Sequence, residues 1–160
     1  MSADLRQAMS RAVSGVAVVT AREGRHDLAV TVTSFLTVSL DPPMVGFLVH
    51  RDARIRDQVG TGRSWAANIL GSQGRAAAQW LGEPGRPILD QLTQIPHRLG
   101  EASGAALLEV ATVWIQARTV HVAQAGSHDF IAAEVLDCTI NADNNGAILH
   151  GYGQLHVWQS

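Results

Sequence analysis

Lysine is absent from this chain: all 12 basic residues are arginine. That usage reflects composition and assigns no function. The net charge is −2 and no dense basic run occurs, which argues against a nucleic-acid or anionic-membrane partner. Cys138 is the only cysteine, so an intrachain disulfide is impossible and a reducing, cytoplasmic setting is expected. No apolar run reaches the length of a membrane span. Residues 3–13 carry Asp4, Arg6 and Arg11 and hold no apolar stretch of the signal-peptide kind. The nucleophile elbow Gly-x-Ser-x-Gly is missing. The 7 histidines form no i, i+4 helical pair with a carboxylate nearby, the carboxylates are scattered, and no metal site is expected. Gly60-Thr61-Gly62 opens like a dinucleotide fingerprint. Its third glycine position holds Trp65 and a strand follows, so it is rejected.

What is present fits one folded domain over residues 1–160. Hydrophobic residues make up 46% and charged ones 16%, enough apolar material for more than one buried face. Residues 3–12 read as a short amphipathic helix. Val16 to Ala21 is a continuous apolar strand, paired as a hairpin with a strand over 28–34. Residues 35–40 extend the latter with a kink, and Met44 to Val49 is the next strand. A helix over 52–60 capped by Asp52, a strand over 65–70 and an alanine-rich helix over 73–81 capped by Ser72 follow. Residues 84–106 read as a long surface excursion with a short helix near Ile88 to Leu92. The last third is strand-rich, over 106–122, 128–140, 147–150 and 154–158, with Asn144-Asn145-Gly146 as a hairpin turn. Cys138, among apolar neighbours, is expected to be inert packing. Strands with turn punctuation and few helices predict an antiparallel barrel.

Residues 31–43, TVTSFLTVSLDPP, are the most unusual stretch. Hydroxyls stand at 31, 33, 34, 37 and 39 among apolar neighbours, and Asp41-Pro42-Pro43 stops the ladder, because proline has no N–H to donate. Two readings are open: a strand corner whose hydroxyls satisfy the backbone, or a backbone shaped to approach a polar ligand. Arg51, Arg54 and Arg56 are likewise either a phosphate site at a helix start or a solvated face. The turn Gly126-Ser127-His128 completes the set of candidate ligand contacts. His128 and Asp129, being adjacent on a strand, point to opposite faces.

Ser14-Gly15-Val16-Ala17-Val18-Val19-Thr20-Ala21, Val32-Thr33-Ser34-Phe35 and Val38-Ser39-Leu40-Asp41-Pro42-Pro43 together resemble the N-terminal signature of the flavin reductase-like, FMN-binding split-barrel family. Trp65 to Leu70, Ala106 to Arg118, Gly126-Ser127-His128 and Ala147 to Gly153 extend the resemblance over nearly the whole chain. It implies a mainly β fold: a six-stranded antiparallel split β-barrel of Greek-key type with a few short helices, dimeric. It implies an NAD(P)H:flavin oxidoreductase that binds FMN, or FAD, takes NADH or NADPH as donor and passes hydride to flavin N5, supplying reduced flavin to a partner monooxygenase. The alternative is a flavoprotein that holds FMN tightly for electron transfer or another substrate. By position, Thr31, Val32, Thr33 and Ser34 would line the flavin, Val49, His50 and Arg54 would flank its phosphate end, and His128 would be the catalytic residue. His128, Tyr152 and Gly153 would border the nicotinamide. Ala53, Ile55 and Ser127 depart from the family pattern.

Overall fold

The computed structural model describes residues 2–87 and 89–160. Its elements are α1 (Ser2–Met9), β1 (Ser14–Gly15), β2 (Ala17–Glu23), β3 (His26–Val32), β4 (Leu36–Leu40), β5 (Pro43–His50), a 3-10 helix (Arg54–Val59) and β6 (Ser64–Leu70). A 3-10 turn (Ser72–Gly74), α2 (Arg75–Gly82), β7 (His97–Leu99), β8 (Ala106–Leu108), β9 (Ala111–Ala125), β10 (His128–Ile140), β11 (Ala147–Gly151) and β12 (Gln154–Trp158) follow. Seven strands form one antiparallel sheet in the order β3-β2-β6-β9-β10-β5-β4. A second sheet is β1-β11-β12, and β7 pairs with β8.

The continuous apolar run at 16–21 is explained by burial on both sides. Ala17, Val19 and Ala21 enter one core, while Val16 and Val18 enter a second beneath α2. Such a strand loses the alternation that marks a half-exposed one. The first core takes residues from six strands, including Val19, Val32, Phe47, Trp65, Ala117 and Ile131. At its centre the Phe47 and Trp65 rings meet edge to face, centroids 5.0 Å apart. Trp65 Nε1–H donates to Thr119 Oγ1 at 2.8 Å, and that hydroxyl donates to the Val59 carbonyl at 2.7 Å. The buried indole is thereby satisfied, and the 3-10 helix is pinned to the sheet. In the second core α2 brings Ala77, Ala78 and Leu81 against Val16, Val18 and Leu108. Asn68, fully buried on β6, donates to the Val18 carbonyl at 3.0 Å and accepts the Leu108 N–H at 2.7 Å, locking β8 onto the sheet.

The chain path dictates the sheet's curvature. β3 and β4 stand at opposite ends of the seven-strand order, yet only residues 33–35 join them. In a flat sheet six inter-strand spacings would separate them by about 29 Å. The four steps from Val32 to Leu36 reach at most about 14 Å. The sheet therefore rolls until β3 faces the β5 end. No ladder joins β3 to β4 or to β5, so the roll stays open along that line.

Several expectations are corrected. Residues 36–40 do not extend the preceding strand but form a separate one, the seventh of the sheet: Leu36 pairs with Gly46 and Leu40 with Pro43, so Asp41-Pro42 turns a hairpin rather than ending the ladder. Residues 52–60 give only the short 3-10 helix, without a side-chain cap, and Ala53 stands at the N-cap position in extended conformation. Ser72 does not cap α2. Its N–H is tied to the Asn145 carbonyl at 3.0 Å, and the helix starts after Gly74. Residues 84–106 are not merely a surface excursion, since Gln91, Leu92 and Ile95 are buried and β7–β8 form a hairpin. Of the short helix expected there, Ile88 lies outside the described residues, and 89–92 is not helical. Asn144-Asn145-Gly146 links two sheets instead of closing a hairpin. The hairpin turn is Tyr152-Gly153, both at positive φ (52° and 72°), between β11 and β12. Cys138 is exposed, because β10 runs past the core beyond Val135.

Trp65→Ala is expected to lower stability by about 3–5 kcal/mol, through lost packing and the lost hydrogen bond to the Thr119 hydroxyl. Urea denaturation followed by far-UV circular dichroism checks this.

Candidate functional site

The line along which the rolled sheet fails to close is a cleft. One wall is the end of β3 with the segment after it: Val30, Thr31, Val32, Thr33 and Ser34. The other is Leu48, Val49 and His50 of β5, with Ala53, Ala125 and His128 completing a cavity of about 420 Å³. Ser34 spans the two walls. Its hydroxyl accepts the Leu48 N–H at 3.0 Å and donates to the Leu48 carbonyl at 3.4 Å, giving β5 a partner where β4 has already left. Ala29 N–H is bonded to Gln91 Oε1 at 3.0 Å and its carbonyl accepts from Arg86 at 2.6 Å, so the peptide groups of this residue face away from β2. Two residues on, the strand repeat turns the Thr31 peptide groups to that same free edge. The Thr31 hydroxyl is already used, donating to the Ala78 carbonyl of α2 at 2.9 Å.

His50 and His128 are cross-strand partners in the β5–β10 ladder. Their rings stack edge to face with centroids 5.0 Å apart. His50 Nδ1 accepts the Asp52 N–H at 3.2 Å, which places a neutral ring's proton on Nε2. His128 Nδ1 lies 3.0 Å from Ser127 Oγ. Both rings are therefore fixed through Nδ1, which leaves their Nε2 atoms for a cleft occupant. Asp129 points to the opposite face, as strand alternation requires, and is buried.

The three arginines expected as a phosphate cluster are dispersed. Arg56 Nε lies 2.5 Å from Asp129 Oδ2, and Arg51 Nε lies 4.0 Å from Oδ1 of the same carboxylate. Arg54 pairs with Glu23 across to β2. Each guanidinium thus has an acid in reach, and the 3-10 helix is too short to present a row of free amides. Arg54 lines an adjoining cavity of about 250 Å³ rather than the cleft itself, together with Ala29, Ile55, Gly85, Arg86 and Gln91. The two cavities meet at Val30 and Ala53, which line both.

Thr31, Val32, Thr33, Ser34, Val49, His50 and His128, all singled out in the sequence, therefore converge on one cleft, with Arg54 next door. Tyr152 and Gly153 do not join them. They turn the β11–β12 hairpin of the other sheet, where Tyr152 N–H donates to the Ser10 carbonyl at 2.5 Å and Arg11 lies over the ring at 5.7 Å. Sequence reasoning missed Leu48 and Ala125, which are apolar residues without a chemical signal, and noted Ala53 only as a departure from the family pattern. It also missed Arg86 and Gln91, which sit in the irregular stretch after α2. Among the described residues no group of three or more metal-ligating side chains occurs.

The family described as flavin reductase like domain matches residues 9–159. An NADPH-flavin oxidoreductase of Streptomyces viridifaciens is 30% identical over 156 residues, 96% of this chain and 79% of that protein. An NADH-dependent FAD reductase of Streptomyces globisporus is 29% identical over 148 residues, 92% of this chain and 81% of that one. Among solved structures, a Streptomyces globisporus NADH:FAD oxidoreductase in complex with NAD and FAD fragments superposes with a TM-score of 0.88 at 26% identity, covering 97% of this chain and 91% of that one. The flavin reductase component of a bacterial two-component tryptophan halogenase superposes with a TM-score of 0.89 at 27% identity, covering 100% of this chain and 99% of that one.

Ser34→Ala leaves the Leu48 N–H without its acceptor across the cleft. The expected loss is about 1 kcal/mol, measured by chemical denaturation, with Ser34→Thr retaining most of it.

Proposed function

The chain belongs to the flavin reductase like domain family, and from that membership we propose that it is an NAD(P)H-dependent flavin reductase. The observation that carries the reading is the convergence of the 31–34 segment, Val49, His50 and His128 on one cleft. Relatives that use FMN, FAD or riboflavin phosphate with NADH or NADPH support the same chemistry here.

The cleft fits a flavin. Its walls are more apolar than polar, as a planar aromatic ring system needs, while the open β3 edge at Thr31 offers peptide groups to a polar ring edge. Flavin bound there would supply the hydride acceptor. The protein's part is positioning: Val32 and Val49 form apolar walls, and the tie from Ser34 to Leu48 fixes the cleft width. His128 is assigned the catalytic role. Its Nε2 can donate toward negative charge that builds up on the occupant, and His50 braces its ring. Arg54 borders the neighbouring cavity, where a phosphate end would lie. Ordered, stacked reactants need no general acid or base for hydride transfer itself.

The rolled seven-stranded sheet is, in this reading, the split barrel of the family; the six strands sharing one core and the cleft between β3 and β5 support it. Residues 1–160 are taken as a single domain. A homodimer is proposed on the exposed apolar row Leu36, Val38 and Leu40 of edge strand β4. Tyr152 and Gly153, absent from their own chain's cleft, are assigned a nicotinamide role only at a partner protomer's cleft. The halogenase reductase supports a flavin-dependent monooxygenase or related oxygenase as recipient of the reduced flavin. The single thiol suits the cytoplasm, and no helix among the described residues is long and apolar enough to cross a membrane.

Purified protein mixed with NADH or NADPH and FMN or FAD is expected to consume the nicotinamide absorbance band. Inertness with every pairing overturns the proposal. His128→Ala is expected to reduce kcat/KM by at least about tenfold, or ~1.4 kcal/mol of transition-state stabilisation, with unchanged thermal stability.

A further inference from the structure

β3 stands at one end of the seven-strand order, so its outer edge has no neighbouring strand. Peptide groups on such an edge lack ladder partners. Those of Ala29 are nevertheless both bonded, and by side chains. Ala29 N–H donates to Gln91 Oε1 at 3.0 Å, and the Ala29 carbonyl accepts from Arg86 Nη2 at 2.6 Å. The irregular stretch after α2 thus takes the place of a strand for one residue of β3. Gln91 is itself held firmly. It is buried, its Nε2 donates to the Pro87 carbonyl at 3.0 Å, and its backbone carbonyl accepts the Trp80 indole N–H at 3.2 Å. Asp90, just before it, stands at φ 57°, a left-handed conformation that a short polar side chain tolerates. A side-chain amide bonded at both ends and buried in this way has little freedom to move.

Thr31 is the next residue whose peptide groups face that edge, about 7 Å along the strand. It lines the cleft, whereas Gln91 lines only the adjoining cavity. We propose that Gln91 is a positioning residue: its amide stands in for a strand at Ala29 and so fixes where the β3 edge at Thr31 meets a flavin ring. This rests on the flavin reductase reading. Gln91 touches no cleft occupant in this scheme. It acts through the β3 backbone, so it contributes equally to every flavin that shares the ring system.

The test compares Gln91→Met, which keeps the length and removes the acceptor, with Gln91→Glu, which keeps an acceptor for Ala29 N–H. Flavin dissociation constants are read by fluorescence quenching, and steady-state kinetics with NADH or NADPH are run beside them. Gln91→Met is expected to weaken riboflavin and FMN alike by about fivefold or more, as loss of one hydrogen bond implies. The KM for flavin should rise with kcat changed by less than about twofold, the pattern of lost uniform binding. Gln91→Glu should stay within about twofold of wild type in flavin affinity, which a merely space-filling role would not produce. Amide hydrogen exchange of the wild type, followed by NMR, keeps the proposal falsifiable if a variant folds poorly. Without flavin, Ala29 N–H should be protected and Thr31 N–H should exchange fast; with flavin, Thr31 should slow. Unchanged flavin affinity in Gln91→Met, equal losses in both variants, a fall in kcat alone, or an Ala29 amide that exchanges as fast as that of Thr31 each overturn the assignment. Wild type that binds no flavin refutes the flavin reductase reading and the positioning role with it; wild type that binds flavin while Gln91→Met matches it refutes the role of Gln91 alone.

Discussion

The short link between β3 and β4 governs this molecule. Three residues connect the two edges of a seven-stranded sheet, and no flat arrangement lets them do so. The roll that follows gathers six strands around one core and brings Phe47 against Trp65. It also leaves β3 facing β5 without a ladder, so that a gap with strand walls is built into the topology. Seven of the residues singled out in the sequence line that gap. The Ser34 hydroxyl is the one side chain that bridges it to the β5 backbone, and the edge at Thr31 stays available beside it.

The strand content was legible because the sheet's central strands sit between two cores. Val16 to Ala21 reads as a continuous apolar run because odd and even positions both lose water. The 31–34 segment was legible for a different reason, its hydroxyls. Thr31 and Ser34 do satisfy backbone carbonyls or amides, as a strand corner would, and the same residues wall the cleft. What escaped the sequence depended on tertiary partners. Asp52 and Ser72 have cap chemistry, but helix caps need a helix that begins beside them. At 52 the chain has room for only six residues of 3-10 helix, and at 72 a tie to Asn145 takes the amide elsewhere. Asn-Gly at 145–146 carries a hairpin signal, yet its flanking strands belong to different sheets. Local turn preference cannot see that β11 pairs with β1 and β12 instead.

Charge placement followed a similar logic. Arg51, Arg54 and Arg56 look like a basic cluster when counted along the chain. In three dimensions they are counter-charges, two for the buried Asp129 and one for Glu23. Asp129 could not be buried alone, and its two guanidinium partners hold the loop after β5 to the hairpin end of β10, the region that carries His50 and His128. Acid–base pairing here fixes the backbone around the site rather than forming the site.

The two histidines show how a strand ladder positions chemistry. His50 and His128 are far apart in sequence but directly opposed across β5 and β10, so their separation is set by register and not by loop conformation. A one-residue slip would turn one imidazole out of the cleft and place Asp129 or Val49 there instead. Register is protected by the core: Phe47 and Ile131, opposed three positions inward from the histidine pair, both point into it. A slip would therefore expose a phenyl ring and an isoleucine as well as moving a histidine. The same hydrophobic contacts that hold the sheet together thus hold the imidazole pair at the mouth of the gap.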